Sequence, residues 1–353
     1  MRIAYACYWD ARRRDGVSEK IAGQVGAWRS AGHDVGVYLL SPPPRPGETL
    51  SLEAETFVFE HARGRWQATA HLYRAVRRSA PDLVYLRYDL FVPPPWGLAR
   101  TAAAVVEVNS NWRAELAARS RPAALYERLQ EPPLLRRAAG AVCVSGELAR
   151  TVARRAPRLA VEVVANGIDL RALPPRPAEP HDGIRAVFVG DDVYWQGLDK
   201  VSLLAEALPE WHFDLIGVAP SAQTPRNVTC HGFLTRERYD PILARADLAL
   251  GTLALHRKQM AEASPLKVGL YLAYGLPVVI AYDDTNLAGL DAWWLLRLPN
   301  GESNVAEGIA AIETFGRAVA GRRVARAEVA DRISTEAKER ARLAFFERVT
   351  GFA

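Results

Sequence analysis

The fold of this chain is indicated most clearly by residues 262–279, which read EASPLKVGLYLAYGLPVV. Ser264 can cap a helix, and Pro265 suits a first helical turn. The exposed N–H groups of such a turn favour a phosphate. Lys267 would lie in the same turn, where the helix dipole disfavours a cation, so we expect it to pair with an anion. The alternatives are that Lys267 extends to solvent and that Glu262 is an ordinary loop carboxylate.

The apolar run from Leu266 to Tyr282 predicts a buried helix, a turn and a buried strand. Gly275 and Pro277 interrupt this run, whereas a helix that spans a bilayer needs about 20 uninterrupted apolar residues. The first residues, MRIAYACYWDARRRDG, do not show a charged leader followed by an apolar segment. We therefore expect a cytoplasmic protein.

Short apolar strands alternate with longer helical segments along the whole chain. The first-half strands are predicted at Ile3–Tyr8, Val35–Leu40, Leu83–Leu86, Ala103–Val108, Ala141–Val144 and Val161–Val164. Continuous apolar runs of this kind are typical of parallel sheets that are covered on both faces. The helix predicted after the first strand places Ile21, Val25 and Trp28 on one face. This pattern predicts a doubly wound α/β fold.

The alternation restarts after the proline-rich stretch that ends at residue 183. We predict an N-terminal Rossmann-like domain at 1–170, a linker at 171–183, a second Rossmann-like domain at 184–325 and a helix at 326–353 that crosses back. By pattern, the tail from Arg322 to Val349 is one long helix. Two doubly wound sheets that face each other would form a cleft suited to two substrates.

Composition excludes several other classes of protein. Lys and Arg number 45 and Asp and Glu 40, and a net charge of +5 does not indicate a nucleic-acid binder. The three cysteines lie far apart, which excludes a disulfide framework and a CxxC zinc site. The seven histidines form no HExxH pattern, so we expect a metal-independent protein without a cofactor.

Three further segments lie where a doubly wound fold binds ligands. Asp15-Gly16-Val17 follows the first strand and can bring N–H groups close to an anion, although Gly16 alone could be a turn residue. Ala165–Asp169, ANGID, is at the end of the first half and is also explained by a tight turn. Ala186–Asp199, AVFVGDDVYWQGLD, has a strand that ends in glycine and a second glycine that opens a helix.

Taken together, six segments resemble the GT-B glycosyltransferases, and within them glycosyltransferase family 4. In chain order they are DGVSEKIAGQVGAWRSAGHDV at 15–35, EVNSN at 107–111, ANGID at 165–169, FVGDDVYWQGLD at 188–199, NVTCHGFLTRERYDPILARADLAL at 227–250 and EASPLKVGLYLAYGLPVV at 262–279. The resemblance implies two Rossmann-like domains that face each other across a cleft and a nucleotide-sugar donor.

The resemblance also implies roles for individual residues. Glu262 would hold hydroxyls of the donor sugar, and Lys267 would contact the diphosphate; these two are the catalytic candidates. The donor would further contact Gly16, Val17, Gly190, His231, Phe233, Ser264, Pro265 and Leu266. The segment His231–Phe233 would lie near the nucleobase. The candidates on the acceptor side are Asp15, Arg87, Asp89, Glu107 and Asn109.

Three positions depart from the family pattern. The second glutamate of the donor motif is Leu270, and the basic pair of the 190–197 loop is replaced by Asp191 and Gln196. Lys267, helped by Arg257 or Lys258, would then neutralise more of the donor charge. The alternative is a degenerate GT-B protein that binds a nucleotide sugar without transferring it. Hydrolysis or epimerisation of a nucleotide sugar, or a purely structural role, are further alternatives.

The expected reaction moves a sugar from a nucleotide diphosphate, with UDP favoured over GDP, to an acceptor hydroxyl. The resemblance favours retention; an inverting enzyme would need a general base, for which Asp15, Asp89 and Glu107 are the candidates. Arginine clusters such as Arg12–Arg14 suit phosphate or an anionic lipid surface. The expected acceptor is a surface polysaccharide or a lipid-linked glycan, with a contact to the inner face of the cytoplasmic membrane. Solvated helix faces are the alternative explanation for these arginines.

Overall fold

A computed structural model describes residues 1–10, 12, 15–44, 53–173, 177–221 and 224–352. Contacts divide the chain into two compact units, one formed by Met1–Gly167 with Thr335–Ala353 and the other by Ile168–Ser334. Each unit contains a parallel sheet with helices between its strands, which confirms the predicted α/β class. Residues 174–176 of the predicted linker, and Arg13 and Arg14 of the arginine cluster, lie outside the described residues.

The sheet of the N-terminal unit has seven parallel strands in the described chain. They are β1 (Arg2–Tyr8), β2 (Asp34–Ser41), β3 (Glu55–Val58), β4 (Leu83–Arg87), β5 (Ala103–Val108), β6 (Gly140–Cys143) and β7 (Ala160–Val163), in the order β3-β2-β1-β4-β5-β6-β7. The order reverses between β1 and β4, and ligands of such sheets bind beyond the carboxyl ends of the strands at this point. The residues that follow β1 and β4 are therefore placed to meet a ligand.

Helices of the N-terminal unit follow the strands, as the alternating pattern predicts. They are α1 (Gly16–Ser30), α2 (Ala62–Arg78), α3 (Trp112–Arg119), α4 (Arg121–Leu135) and α5 (Gly146–Arg155), with a 3-10 helix at Pro95–Arg100. The predicted apolar face of α1 is confirmed, because Ile21, Val25 and Trp28 are all buried. The Trp28 ring packs edge-on against Tyr85 at 5.1 Å and against Phe346 at 5.2 Å. Such aromatic pairs add to the free energy gained by burying apolar surface.

The sheet of the second unit has six parallel strands among the described residues. They are β8 (Ile184–Val189), β9 (Trp211–Ile216), β10 (Val228–Gly232), β11 (Leu248–Leu250), β13 (Val278–Ile280) and β15 (Leu295–Arg297), in the order β10-β9-β8-β11-β13-β15. A separate parallel pair joins β12 (Glu262–Ala263) to β14 (Asp283–Asp284). The helices are α6 (Leu198–Ala207), α7 (Arg236–Arg245), α8 (Leu266–Ala273), α9 (Asn304–Val319) and α10 (Arg326–Ile333). The order reverses between β8 and β11, where Gly190 follows β8.

The tail is not the single long helix that the charge pattern predicts. It consists of α10 and α11 (Thr335–Thr350), separated by Ser334, whose backbone is extended. Ile168 forms a parallel bridge with Ser334, and the Ile168 N–H donates to the Ile333 carbonyl at 2.7 Å. This pairing takes the place of helical continuation at Ser334. Helix α11 belongs to the N-terminal unit, where Phe345 and Phe346 are fully buried.

The Asn-Gly pair of the ANGID segment has a structural explanation within the N-terminal unit. A Cβ atom on Gly167 would lie 2.7 Å from the Cα atom of Thr335. Only glycine lets the backbone pass so close to the start of α11. The segment therefore marks the contact between the end of the first half and the returning chain.

Candidate functional site

Helix α8 begins without a side-chain cap from any described residue. The sequence predicts Ser264 as its cap, but the structure places Pro265 at the N-cap position and begins the helix at Leu266. Ser264 is buried, and its hydroxyl accepts a hydrogen bond from Asn286 Nδ2 at 3.4 Å. The prediction that Ser264 caps α8 and that Pro265 lies in its first turn is therefore wrong. The N–H groups of the first turn have no capping side chain and can donate hydrogen bonds to an anion.

Lys267 lies in this first turn and is buried, with 8% of its surface exposed. Its Nζ donates to Gln196 Oε1 at 2.7 Å and lies 3.8 Å from the centre of the Phe188 ring. No carboxylate among the described residues forms an ion pair with it. Burial lowers the pKa of Lys267 to about 7, against the opposing effect of the Asp191 charge. A bound anion would supply the countercharge that this ammonium group lacks.

Gly190 keeps the space beside Lys267 open. A Cβ atom at this position would lie 3.1 Å from Lys267 Nζ and 3.1 Å from the Phe188 ring. Tyr271, from the same face of α8, accepts a hydrogen bond from the Val189 N–H at 2.7 Å and donates to the Leu250 carbonyl at 3.2 Å. These bonds fix α8 against the ends of β8 and β11. The structure therefore brings Gly190, Lys267 and the start of α8 together, as the sequence predicts.

The remaining motif residues of this unit have distinct environments. Glu262 is partly exposed and lies in β12, two residues before buried Ser264. Leu270, at the position of the second motif glutamate, is 8% exposed and belongs to the core. His231 Nε2 lies 2.7 Å from Asp214 Oδ1, which fixes its ring. The Phe233 side chain is 66% exposed.

Arg257, which the sequence suggests as a substitute cation, is already engaged. Its guanidinium donates to Asp199 Oδ2 at 2.7 Å, to Glu302 and to the Tyr194 carbonyl at 3.0 Å. Lys258 Nζ lies 4.7 Å from the centre of the Trp195 ring. Arg257 could reach a donor only if these ion pairs broke. Unlike Arg257, Lys267 forms no ion pair with a carboxylate of the described residues.

The candidates at the start of α1 are partly used by the helix itself. Asp15 is the N-cap residue, and its Oδ1 accepts from the N–H groups of Val17 at 3.1 Å and Ser18 at 3.0 Å. Gly16 is the first residue of the helix. An anion at this turn would compete with the Asp15 carboxylate. Asp15 therefore has a structural role that the sequence did not reveal.

Glu107, at the end of β5, is fully buried among cations. Its carboxylate lies 2.8 Å from Lys20 Nζ, 3.3 Å from an Arg87 nitrogen and 3.8 Å from an Arg342 nitrogen. Burial alone would raise the pKa of Glu107, but these three cations outweigh it and hold the pKa well below its usual range. Asn109 completes the cluster by accepting from Lys20 Nζ at 2.7 Å. Glu107 is therefore an anchor for cations and a poor general base.

Asp89 follows β4 and differs from the other two carboxylate candidates. Loss of hydration raises its pKa to about 6, against the hydrogen bond that it accepts from the Leu90 N–H. A carboxylate with a raised pKa is the better proton acceptor near neutral pH. The low pKa of Glu107 makes it a weak proton acceptor, and the Asp15 carboxylate is engaged as the cap of α1, so Asp89 is the candidate left for a general base.

Sequence reasoning missed Lys20 and Arg342, although one signal for Lys20 was available. Lys20 and Gln24 lie on the same stripe of α1 as the buried Ile21 and Val25. A lysine on an apolar stripe indicates a buried partner. Arg342 lies on α11, far along the chain, and no local pattern connects it to Glu107.

The described residues show neither a metal-binding cluster nor a membrane-spanning helix. They contain no group of three or more His, Cys, Asp or Glu that could hold a metal ion, and metal independence stays a prediction. No helix within the described ranges is long and apolar enough to cross a membrane.

Comparisons with known proteins give a family match and a fold. Residues 15–172 match the model of Glycosyltransferase Family 4. No curated protein matches the sequence. The structure is similar to HepE of Anabaena in complex with UDP-glucose, with 14% identity, 98% of this chain and 99% of that chain covered, and a TM-score of 0.68.

Two further solved structures have the same fold. The lipopolysaccharide outer core galactosyltransferase WaaB shares 10% identity over 99% of this chain and 100% of its own, with a TM-score of 0.65. A glycosyltransferase from Rickettsia africae shares 11% identity over 100% of both chains, with a TM-score of 0.67. The GT-B fold and the resemblance to family 4 are thereby confirmed, and together they support a transferase of the EC 2.4 type.

Proposed function

We propose that this protein transfers a glycosyl group from a nucleotide-diphosphate sugar, with UDP favoured over GDP, to an acceptor hydroxyl. The observation that carries the proposal is the buried Lys267 ammonium at the uncapped start of α8, which has no carboxylate partner among the described residues. Cleavage of the donor leaves additional negative charge on the diphosphate. A buried cation and oriented N–H groups stabilise such charge more strongly than water does.

Each donor-site residue has a part in this proposal. Lys267 binds the diphosphate and, with its pKa near 7, takes up a proton as the anion binds. Gly190 leaves room for that anion. Glu262 holds hydroxyls of the sugar, and the exposed Phe233 ring, beside His231, contacts the nucleobase. In the step, the bond from the glycosyl carbon to the diphosphate oxygen breaks and a bond to the acceptor oxygen forms. The nucleoside diphosphate leaves with the electron pair, and the acceptor hydroxyl proton passes to the leaving diphosphate.

Retention of configuration is the stereochemistry that we favour. Asp15 caps α1, and Glu107 is bound by three cations, so neither is free to act as an inverting base. Asp89 alone could serve, because its pKa is raised to about 6. Proton NMR of the first-formed product distinguishes the two mechanisms. Retention is supported if wild type and Asp89→Asn both form the product with retained anomeric configuration. Retention is contradicted if wild type forms the inverted anomer and Asp89→Asn forms no product.

The acceptor that we propose is a glycan intermediate of a surface polysaccharide or of a lipid-linked oligosaccharide. A structurally similar protein is described as a lipopolysaccharide outer core galactosyltransferase, and another is bound to UDP-glucose. Such acceptors are made at the inner face of the cytoplasmic membrane, where we place this protein. We further propose that no metal ion is required, since Lys267 and the start of α8 would stabilise the diphosphate.

Nucleotide binding without transfer is the second candidate function. Leu270 lies in the core and cannot hold ribose hydroxyls, and Gln196 stands where the family has a cation. Release of UDP from UDP-sugars, followed over hours without an acceptor, separates the two candidates. Arg238→Ala, at an exposed position of α7, is the control. Slow release by wild type that Lys267→Ala abolishes and the control leaves unchanged supports the transferase. Binding of UDP without any release supports the binding protein.

A further inference from the structure

The outer face of α4 in the N-terminal unit exposes two leucines side by side. Leu125 is 60% exposed and Leu129 is 62% exposed. They are four residues apart on the helix, so their side chains are neighbours on one face. Single exposed leucines are common, but a pair of large apolar side chains on one helix face is an apolar surface that needs an explanation.

The acidic residues of α4 point away from this face. Glu127 and Glu131 are 1% and 5% exposed. Glu127 accepts from Arg113 Nε at 3.1 Å, and Glu131 accepts from Arg155 at 2.7 Å. The carboxylates of α4 are thus buried in ion pairs inside the unit. The charge that remains on the outer face of α4 is positive.

Arginines surround the two leucines. Arg121, Arg128 and Arg136 are exposed, and none of them has a side-chain hydrogen bond or ion pair with any residue in the described parts of the chain. We call the set of Arg121, Leu125, Arg128, Leu129 and Arg136 the α4 face. It combines apolar side chains with uncompensated guanidinium groups.

Helix α4 is hydrogen-bonded to other segments of the N-terminal unit and lies near a second helix that lacks acidic residues. Trp96 Nε1 donates to the Gln130 carbonyl at 2.7 Å, and Tyr126 Oη donates to the Phe91 carbonyl at 3.0 Å, so both sides of α4 are tied to the unit. The 3-10 helix at Pro95–Arg100 contacts both α4 and α2. Helix α2 contains no acidic residue, and its Trp66 side chain is 54% exposed.

We propose that the α4 face is the surface by which this protein docks on an anionic lipid bilayer. The arginines would bind lipid phosphates, and the leucines would enter the boundary between headgroups and acyl chains. A soluble polyanion would engage the arginines and leave both leucines in water, so the combination favours a bilayer. The inference concerns one helix of the N-terminal unit and does not depend on glycosyl transfer.

The test is co-flotation of the full-length protein with vesicles of phosphatidylcholine, alone or mixed with phosphatidylglycerol. Binding is expected only to the anionic vesicles. Arg121→Gln/Arg128→Gln should weaken it about 30-fold, because each basic residue near an anionic surface contributes about a factor of five. Leu125→Ser/Leu129→Ser should weaken it about tenfold or more at unchanged net charge.

Matched controls separate a local face from overall charge. Arg226→Gln/Arg238→Gln removes the same charge from exposed positions of the second unit, and Leu203→Ser removes an exposed leucine there. Both controls should bind anionic vesicles like wild type. The proposal would be overturned if the two double arginine variants lost vesicle binding equally, or if the double leucine variant bound vesicles like wild type. It would also be overturned if wild type did not bind anionic vesicles. UDP binding measured on the same variants shows independently whether the donor site is intact.

Discussion

Replacement of Lys267 by methionine should change how stability depends on pH. Burial lowers the Lys267 pKa from 10.5 to about 7 in the folded protein. Between these values the unfolded chain keeps the proton and the folded protein has released it. Because the unfolded state then binds more protons, stability rises with pH in this window and falls as pH drops toward 7. Lys267→Met lacks the titrating ammonium group and therefore lacks this contribution to the pH dependence of stability.

The size of the effect follows from the same two pKa values. A full proton of difference changes the free energy of unfolding by about 1.4 kcal/mol per pH unit. At pH 7 the folded protein has released only about half of this proton, so wild type should gain about 2 kcal/mol over Lys267→Met between about pH 7 and pH 9. Urea unfolding of both proteins across this range measures the difference. Arg238→Met is the control, because arginine stays charged throughout and its difference from wild type should be constant. A difference for Lys267→Met that is also flat would refute the lowered pKa.

Three further predictions concern Lys267 and the Glu107 cluster. Binding of UDP near pH 8 should be accompanied by uptake of close to one proton, because the diphosphate restores the charge on Lys267. Calorimetry in buffers of different ionisation enthalpy measures this uptake. Zero uptake would argue against a contact between Lys267 and the diphosphate. Gln196→Lys should tighten UDP binding about tenfold by adding a second cation, and weaker binding would contradict the proposed anion position. Glu107→Gln should lower the free energy of unfolding by about 3–5 kcal/mol, since Lys20, Arg87 and Arg342 lose the buried carboxylate that they share. A loss below about 1 kcal/mol in urea unfolding would show that water reaches the cluster.

The sequence predicts the central elements of both units because their signals are local. Buried parallel strands such as β1 and β8 appear as continuous apolar runs, and α1 shows its apolar stripe directly. The edge strands β3 and β15 have four and three residues and are only partly buried, so they carry no comparable pattern. Helix α9 was also not predicted. Its first residue, Asn304, donates from Nδ2 to the Leu253 carbonyl, which is remote in sequence, at 3.0 Å.

The donor segment was predicted in position but not in detail. Gly190 and Lys267 lie together as expected, yet the cap of α8 differs because Ser264 is held by Asn286 from another element. The break at Ser334 likewise depends on pairing with Ile168, which is remote in sequence. Local propensity describes what a segment can do alone. Contacts between distant segments decide which of those possibilities occurs.

A thermal-shift panel of UDP, GDP, ADP, dTDP and CMP on wild type and Lys267→Ala tests the central claim most directly. A ligand at about 100 times its dissociation constant should stabilise the folded state by about 2.7 kcal/mol, which is a measurable shift in Tm. We predict a shift with UDP that Lys267→Ala loses and Arg238→Ala keeps. No shift with any nucleotide, or an equal shift in Lys267→Ala, would contradict a diphosphate site at the start of α8.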